Sequence, residues 1–204
     1  MTDSVFKLTQ PRIVLLIIIG MFVIPLVLAK FYLDYMNDYG VSATLNKGTL
    51  ISPAKPLMDI ALLDVDRNPL PAKLLKGHWT YVMLADAGCD DRCEKQLKLT
   101  KTTRILVNKD MQRVNRLLVV AYQPSDEFVA RIKTDHPQLT LAVLTRPIWT
   151  EFTVQFQSAI DNIGGMPFFL VDPNGNLMMG YDDSISPKDI LGDLKKLLKA
   201  SMIG

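Results

Sequence analysis

The sequence predicts an α/β domain, a mixed central sheet flanked by helices, behind one N-terminal transmembrane helix. Three observations predict it. An uncharged apolar run covers Ile13 to Ala29. Beyond it, short β-branched or aromatic runs alternate with longer helix-like stretches, the pattern of strands joined by helices. The two cysteines of the chain, Cys89 and Cys93, fall where one such strand gives way to one such helix.

Composition narrows the field. The 204 residues suffice for an anchor plus one domain of ordinary size. Hydrophobic residues at 49% and charged residues at 22% exclude a disordered chain. A net charge of +2 without an Arg/Lys cluster gives no ground for nucleic acid as a partner. Two cysteines cannot build a disulfide scaffold. A bridge across three residues closes a very short loop and removes little unfolded-state entropy, so the pair suggests redox or metal chemistry more than a staple.

Taken in order, the first element is the anchor. The apolar run continues past Lys30 through Phe31-Tyr32-Leu33, giving a span of 13–33. At ~1.5 Å per residue it covers roughly the hydrocarbon core of a bilayer. Tyr32 and Tyr35 suit the far interface, and Lys30 can snorkel. Lys7, Arg12 and the amino terminus precede the span, while Asp34 and Asp38 follow it. This favours a cytoplasmic N-terminal stretch, 1–12, with the bulk of the chain on the other side. Val27-Leu28-Ala29 lacks the small-x-small pattern of a cleaved signal peptide, so a retained anchor is expected.

Residues 34–56 read as a linker, punctuated by Gly40, Gly48, Pro53 and Pro56, and 57–204 as the folded domain. Leu57 to Val65 reads as a strand, closed by the turn Asp66-Arg67-Asn68-Pro69. Trp79 to Ala85 reads as a buried strand. Glu94 to Asn108, free of Gly and Pro, reads as a helix. Val114 to Ala121 is a further buried strand. Ser125 is placed to cap a helix from Asp126 to about Thr134. Leu139 to Leu144 is the next strand, and Thr145-Arg146-Pro147 starts a helix over Ile148 to Ile160. Phe168 to Val171 and Asn176 to Tyr181 form a hairpin about Asp172-Pro173-Asn174-Gly175. Ser186 and Pro187 open a last helix to about Ala200, whose lysines read as a solvated face.

The chemistry concentrates at Gly88-Cys89-Asp90-Asp91-Arg92-Cys93. Residues four apart share a helix face, so the two sulfurs are able to meet. A helix N-terminus stabilises a thiolate. Asp90 and Asp91 oppose thiolate formation, while Arg92 and Lys95 favour it. A disulfide, a reactive dithiol or a soft metal such as Cu(I) all remain open for this pair. In a dithiol reading, Cys89 near the turn is the nucleophile and Cys93, one turn in, the resolving thiol. A dithiol after a sheet strand, with Met166-Pro167 before the terminal hairpin, describes the thioredoxin-like fold.

Lys76-Gly77-His78-Trp79, the Cys89-x-x-x-Cys93 spacing, the single anchor and Phe168 through Gly175 together resemble the Sco/SenC-like members of the thioredoxin superfamily over about residues 50–200. The resemblance implies a bacterial inner-membrane protein, single-pass, with its C-terminal domain in the periplasm. It implies cytochrome c oxidase assembly, with an oxidase subunit or its assembly factors as partner. It also implies either thiol reduction or copper delivery, the latter with Cu(I) on Cys89 and Cys93. Two departures from the Sco pattern stand out. The copper-ligating histidine of Sco proteins would fall near Gly164, where Asn162-Ile163-Gly164-Gly165-Met166-Pro167 has none, and no proline follows either cysteine. Met166-Pro167 instead resembles the cis-proline position of true thioredoxins, which implies that these two residues hold the substrate backbone beside the dithiol.

The remaining candidates read as structural. His78 lies a strand's length from the dithiol, at ~3.3 Å per residue, and His136 before Pro137 reads as an exposed loop residue. Two thiolates without nearby imidazole do not complete a zinc site. Met166 could offer a thioether to Cu(I) but reads first as packing. Asp86 is placed for a proton relay, although an exposed carboxylate is the commoner case. The function expected is therefore thiol–disulfide exchange that keeps partner cysteines reduced for copper loading. The alternatives are a Cu(I) metallochaperone and a non-catalytic thioredoxin-like interaction module with a permanent disulfide.

Overall fold

The computed structural model describes residues 10–38, 46–86 and 88–201. The chain divides into two units, 1–44 and 45–204. The first holds α1, Gln10–Asp38. Its 25-residue stretch Pro11–Tyr35, with a mean hydropathy of 2.8, is long and apolar enough to cross a membrane. Lys7 and the amino terminus, on which the expected orientation leans, lie outside the described residues, as does Gly40 of the expected linker.

The second unit is a six-stranded mixed sheet. Its strands are β1 (Thr49–Pro56), β2 (Trp79–Ala85), β3 (Val114–Val120), β4 (Thr140–Val143), β5 (Phe168–Val171) and β6 (Asn176–Tyr181). They lie in the order β1-β6-β5-β2-β3-β4. β2, β3 and β4 are parallel, and β5, β6 and β1 add antiparallel pairings. The helices are α2 (Asp91–Leu106), α3 (Asp126–Asp135), α4 (Arg146–Thr153), α5 (Gln157–Ile163) and α6 (Pro187–Ala200). α2, α3 and α6 pack one face of the sheet, and α4 and α5 the other. This is the thioredoxin-like arrangement expected. β2 runs Trp79–Ala85 as read, and Ser125 and Ser186 cap α3 and α6 by accepting from the backbone N–H of Phe128 and Asp189.

Three readings need correction. The run Leu57 to Val65 is not a strand: its contribution to pairing is isolated bridges from Leu63 to Pro69 and Val143. Leu57 and Leu62 are instead buried against the α4/α5 face, so the apolar run fills core rather than forming a ladder. The extra strand is β1, inside the stretch read as linker. It is largely exposed, and its register with β6 shifts between Leu50 and Lys55, around Pro53. A proline-containing strand without alternation carries little sequence signal and is tolerated only at an edge. Its entry is fixed by Asp193, buried on α6, which accepts from Lys47 and Gly48 N–H at 2.8 and 2.9 Å. A Cβ on Gly48 would come within 2.8 Å of the Met179 sulfur, so the close approach requires glycine. Thus one residue of the last helix, whose lysines read as a solvated face, is a buried clamp.

The single helix read over Ile148 to Ile160 is two, α4 and α5. Between them Gln155 is buried, its Oε1 accepting from Met58 N–H at 2.6 Å and its carbonyl from Lys55 Nζ at 3.2 Å. The break lets the connection after β1 bond to this turn. A 3₁₀ segment, Asn108–Arg113, follows α2. Asn108, at φ 55, ends the helix where the reading placed its last residue, since asparagine tolerates this conformation.

Candidate functional site

β2 delivers the chain to the site. Buried at nearly every position, it ends at Ala85, and Gly88 turns the backbone at φ 124, a conformation that favours glycine. Cys89 follows, half-buried, and Asp90 caps α2. The Asp90 carboxylate accepts from Cys93 N–H at 3.0 Å, and its carbonyl accepts from Glu94 N–H at 2.9 Å. The cap therefore fixes the backbone at the second cysteine. Cys93 is 2% exposed and belongs to the core on the α2 face. The two cysteines are joined as a disulfide, with Cα atoms 5.0 Å apart. Of the three states left open for the pair, the bridged one is the state seen here. Cys89 precedes the helix rather than sharing its face, and the turn at Gly88 brings it back over the first helical turn.

The charges around the pair are mostly engaged elsewhere. Lys95 Nζ donates to Asp183 O at 2.5 Å, Glu94 pairs with Arg131 at 2.8 Å, and Asp86 pairs with Arg146 at 2.5 Å. Asp86, read as a relay or an exposed carboxylate, is an exposed ion-pair member. Asp90, Asp91 and Arg92 are exposed beside the helix start.

Met166 and Pro167 approach α2 from the loop before β5. Gln96, one turn beyond Cys93 and 2% exposed, donates its Nε2–H to Met166 O at 2.6 Å. Sequence reasoning missed Gln96. A polar residue three positions after a helix-start cysteine was the available signal, but its partner is 70 residues away. The cis-proline expectation is corrected: among the described residues the cis bond is Ser52–Pro53, not Met166–Pro167. The reversal before β5 is instead made by Gly164 and Gly165, at φ 78 and 65.

The two imidazoles are apart from the site. His78 lies at the start of β2, where Gly77 N–H donates to Pro173 O at 2.8 Å, so it sits beside the hairpin turn at the end of β2 opposite the dithiol. His136 is not an exposed loop residue. It is 6% exposed, and burial, then Arg116 and Lys101, pull its pKa down to about 4. Among the described residues no group of three His, Cys, Asp or Glu side chains is placed to hold a metal.

A cysteine pair at the strand-to-helix turn of such a sheet defines the class: a thioredoxin-fold protein with a CxxxC pair. A family model described as the transmembrane-like, thioredoxin-like, C-terminal domain matches residues 79–201, and the chain belongs to that family. No curated protein matches it. Among solved structures it is similar to yeast Sco1 with copper bound, at 16% identity and a TM-score of 0.61, over 74% of this chain and 97% of that one. It is similar to a SCO1/SenC family lipoprotein from Bacillus anthracis, at 20% identity and 0.58, over 76% and 99%. A thiol:disulfide interchange protein from Bacteroides sp. matches at 16% and 0.55, over 74% and 93%. The Sco/SenC likeness read from the sequence is thus met in the fold. α1 and the family's transmembrane-like description together mark a membrane anchor.

Proposed function

We propose that this chain is a membrane-anchored thiol–disulfide exchange protein, its C-terminal domain facing the periplasm, that keeps partner cysteines reduced for copper loading during cytochrome c oxidase assembly. The observation that carries the reading is the Cys89–Cys93 pair at the start of α2, with Cys89 half-buried and Cys93 buried. The assembly role, the oxidase partner and the periplasmic orientation rest on the resemblance to Sco/SenC-like proteins.

In the reduced protein the Cys89 thiolate attacks one sulfur of a partner disulfide. The partner S–S bond breaks, a mixed disulfide forms, and the leaving sulfur departs as thiolate and takes a proton from water. The Cys93 thiolate then attacks Cys89 Sγ, the mixed disulfide breaks, and the partner leaves with both cysteines reduced. Two electrons have moved from this chain to the partner, and Cys89–Cys93 is closed. An extracytoplasmic dithiol donor reopens it by the same two steps in reverse. Met166, held against α2 through Gln96, and Pro167 after it are the residues that would offer backbone to the partner segment.

Copper as cargo is the second reading, favoured by the copper bound in the yeast Sco1 structure. The reduced pair offers two soft thiolates, and Met166 is the nearest sequence candidate for a soft third donor. The donor set fits copper less completely than it fits exchange, because no imidazole accompanies the pair.

The deciding experiment uses the full-length protein in detergent. Reduced Cys93→Ser protein is mixed with a disulfide-bearing cysteine peptide, and trapped adducts are resolved by mass. A mixed disulfide on Cys89, absent from Cys89→Ser, is expected. No adduct from Cys93→Ser protein shown to be folded would refute exchange. In parallel, anaerobic Cu(I) competition against a chromophoric chelator, with Cys89→Ser as control, tests cargo binding. Stoichiometric copper lost in the control would move the reading to the metallochaperone.

A further inference from the structure

A second cluster of reactive groups lies further along α2. Eleven residues, or ~16 Å of helix, separate Cys93 from Arg104. There a cavity of about 50 Å3 is lined by Lys101, Arg104, Ile105, Arg116, His136 and Gln138 among others. Arg116 comes from β3, opposite Tyr81 in the parallel register, and is 2% exposed. Arg104 is 7% exposed.

Among the described residues these cations have no anionic hydrogen-bond partner. Arg116 donates Nε–H to Thr100 Oγ1 at 3.1 Å and Nη2–H to Leu97 O at 2.6 Å. Arg104 donates Nε–H to Val114 O at 2.6 Å and Nη1–H to Gln138 Oε1. Lys101 donates to Asp135 O at 2.6 Å, while Asp135 itself is exposed. Every acceptor is neutral, and among the described residues no carboxylate forms an ion pair with Lys101, Arg104 or Arg116. His136 Nδ1 is buried without a hydrogen-bond partner. Buried charges are ordinarily paired, because an unpaired one carries a large desolvation penalty. Burial first, then repulsion from Arg104, pulls the Arg116 guanidinium down to about 10.

We infer that this cavity binds a small monovalent inorganic anion of the size of chloride, held by the guanidinium groups of Arg104 and Arg116, the Lys101 ammonium and the His136 ring. A volume of about 50 Å3 exceeds the roughly 10–15 Å3 needed for one water and falls far short of the ~300 Å3 or more of a pocket for an organic ligand. The anion neutralises charge where α2 crosses β3, and so steadies the helix that carries the dithiol at its other end.

The test uses the full-length protein in detergent. Its melting temperature is followed as sodium chloride replaces sodium gluconate at constant ionic strength, and ³⁵Cl line broadening reports bound chloride directly. A saturating rise in melting temperature and excess broadening are expected. Lys101→Gln, at a half-buried position, should raise the chloride needed for half the effect by about tenfold, the loss of one charge-assisted contact. Arg116→Met should abolish the chloride dependence whatever its own stability, and Lys101→Gln decides the matter if it does not fold. A wild-type protein indifferent to chloride, or a Lys101→Gln response equal to that of the wild type, would overturn the inference.

Discussion

The two faces of the sheet bury different things. Under α4 and α5 lie aromatic rings in series: Phe152 and Phe156 with centroids 5.2 Å apart, then Phe156 and Phe169 at 4.9 Å. Under α2 and α6 the core is also closed, but Gln96, Thr100, Thr103, Arg104, Arg116 and Asp193 are buried within or beside it. The first face is held mainly by apolar area and packing, which have no direction, with buried Gln155 between α4 and α5 accepting a hydrogen bond from Met58 N–H. The second spends hydrogen bonds to fix particular backbone atoms: Gln96 to Met166, Arg104 to Val114, Asp193 to Gly48. The cysteine pair is on the second face. A site that must place a sulfur, a cap and a loop at set distances needs directional contacts, and the packed rings of both faces, Tyr81, Phe168 and Tyr181 on this one included, supply the stability against which they are held.

Substitutions on each side should separate these roles. The largest effect is expected at Cys93→Ser, which abolishes turnover of disulfide substrate and leaves the mixed disulfide, while the lost cross-link costs about 2 kcal/mol or less. Thiol counting and urea unfolding measure the two. On the opposite face, Phe156→Ala should cost about 3–5 kcal/mol in urea unfolding while the exchange rate of the folded fraction stays at the wild-type value. A fall in that rate would break the contrast between the faces.

The next effect is in pH. The folded pKa of His136, about 4, lies below its ordinary value of 6.5. As pH falls the unfolded chain takes up this proton first, so stability is full above pH 6.5 and is lost progressively toward pH 4. Melting temperatures between pH 8 and 4 should show this decline, and His136→Gln should flatten it. Asp90→Ala should cost about 1 kcal/mol through the lost cap. It should also lower the pH at which reduced Cys89 reacts with an alkylating reagent, since a like charge is removed. The smallest change is expected at Gln96→Leu. It loses one hydrogen bond, about 1 kcal/mol, and slows exchange with a peptide disulfide while leaving exchange with a small disulfide unchanged. Equal slowing of both would place Gln96 in the support of Cys93 rather than of the Met166 loop.

Much of the fold was legible because its signals are local. β2, β3 and the β5/β6 hairpin are apolar runs bounded by turn residues, and α3 and α6 announce themselves through Ser125 and Ser186. The failures are also instructive. Leu57 to Val65 is apolar enough for a strand, but Leu57 and Leu62 fill the core on the α4/α5 face. β1 carries two prolines and almost no buried side chains, so neither periodicity nor composition marks it. His136, beside a proline in a polar stretch, is buried because α2, α3 and β3 converge on it, which no single segment records.

The sequence by itself determined the anchor, the α/β alternation and the position of Cys89 and Cys93 at a helix start, since each depends on residues within a turn or two of one another. Only the tertiary structure decided that Gln96 holds Met166, that Asp193 clamps Gly48, and that Arg104, Arg116 and His136 share one cavity. Those partners are from 12 to 145 residues apart. Their meeting follows from the packing of helices on a finished sheet, and a hydrogen bond or an unbalanced charge acquires meaning only when burial has removed water as the alternative partner.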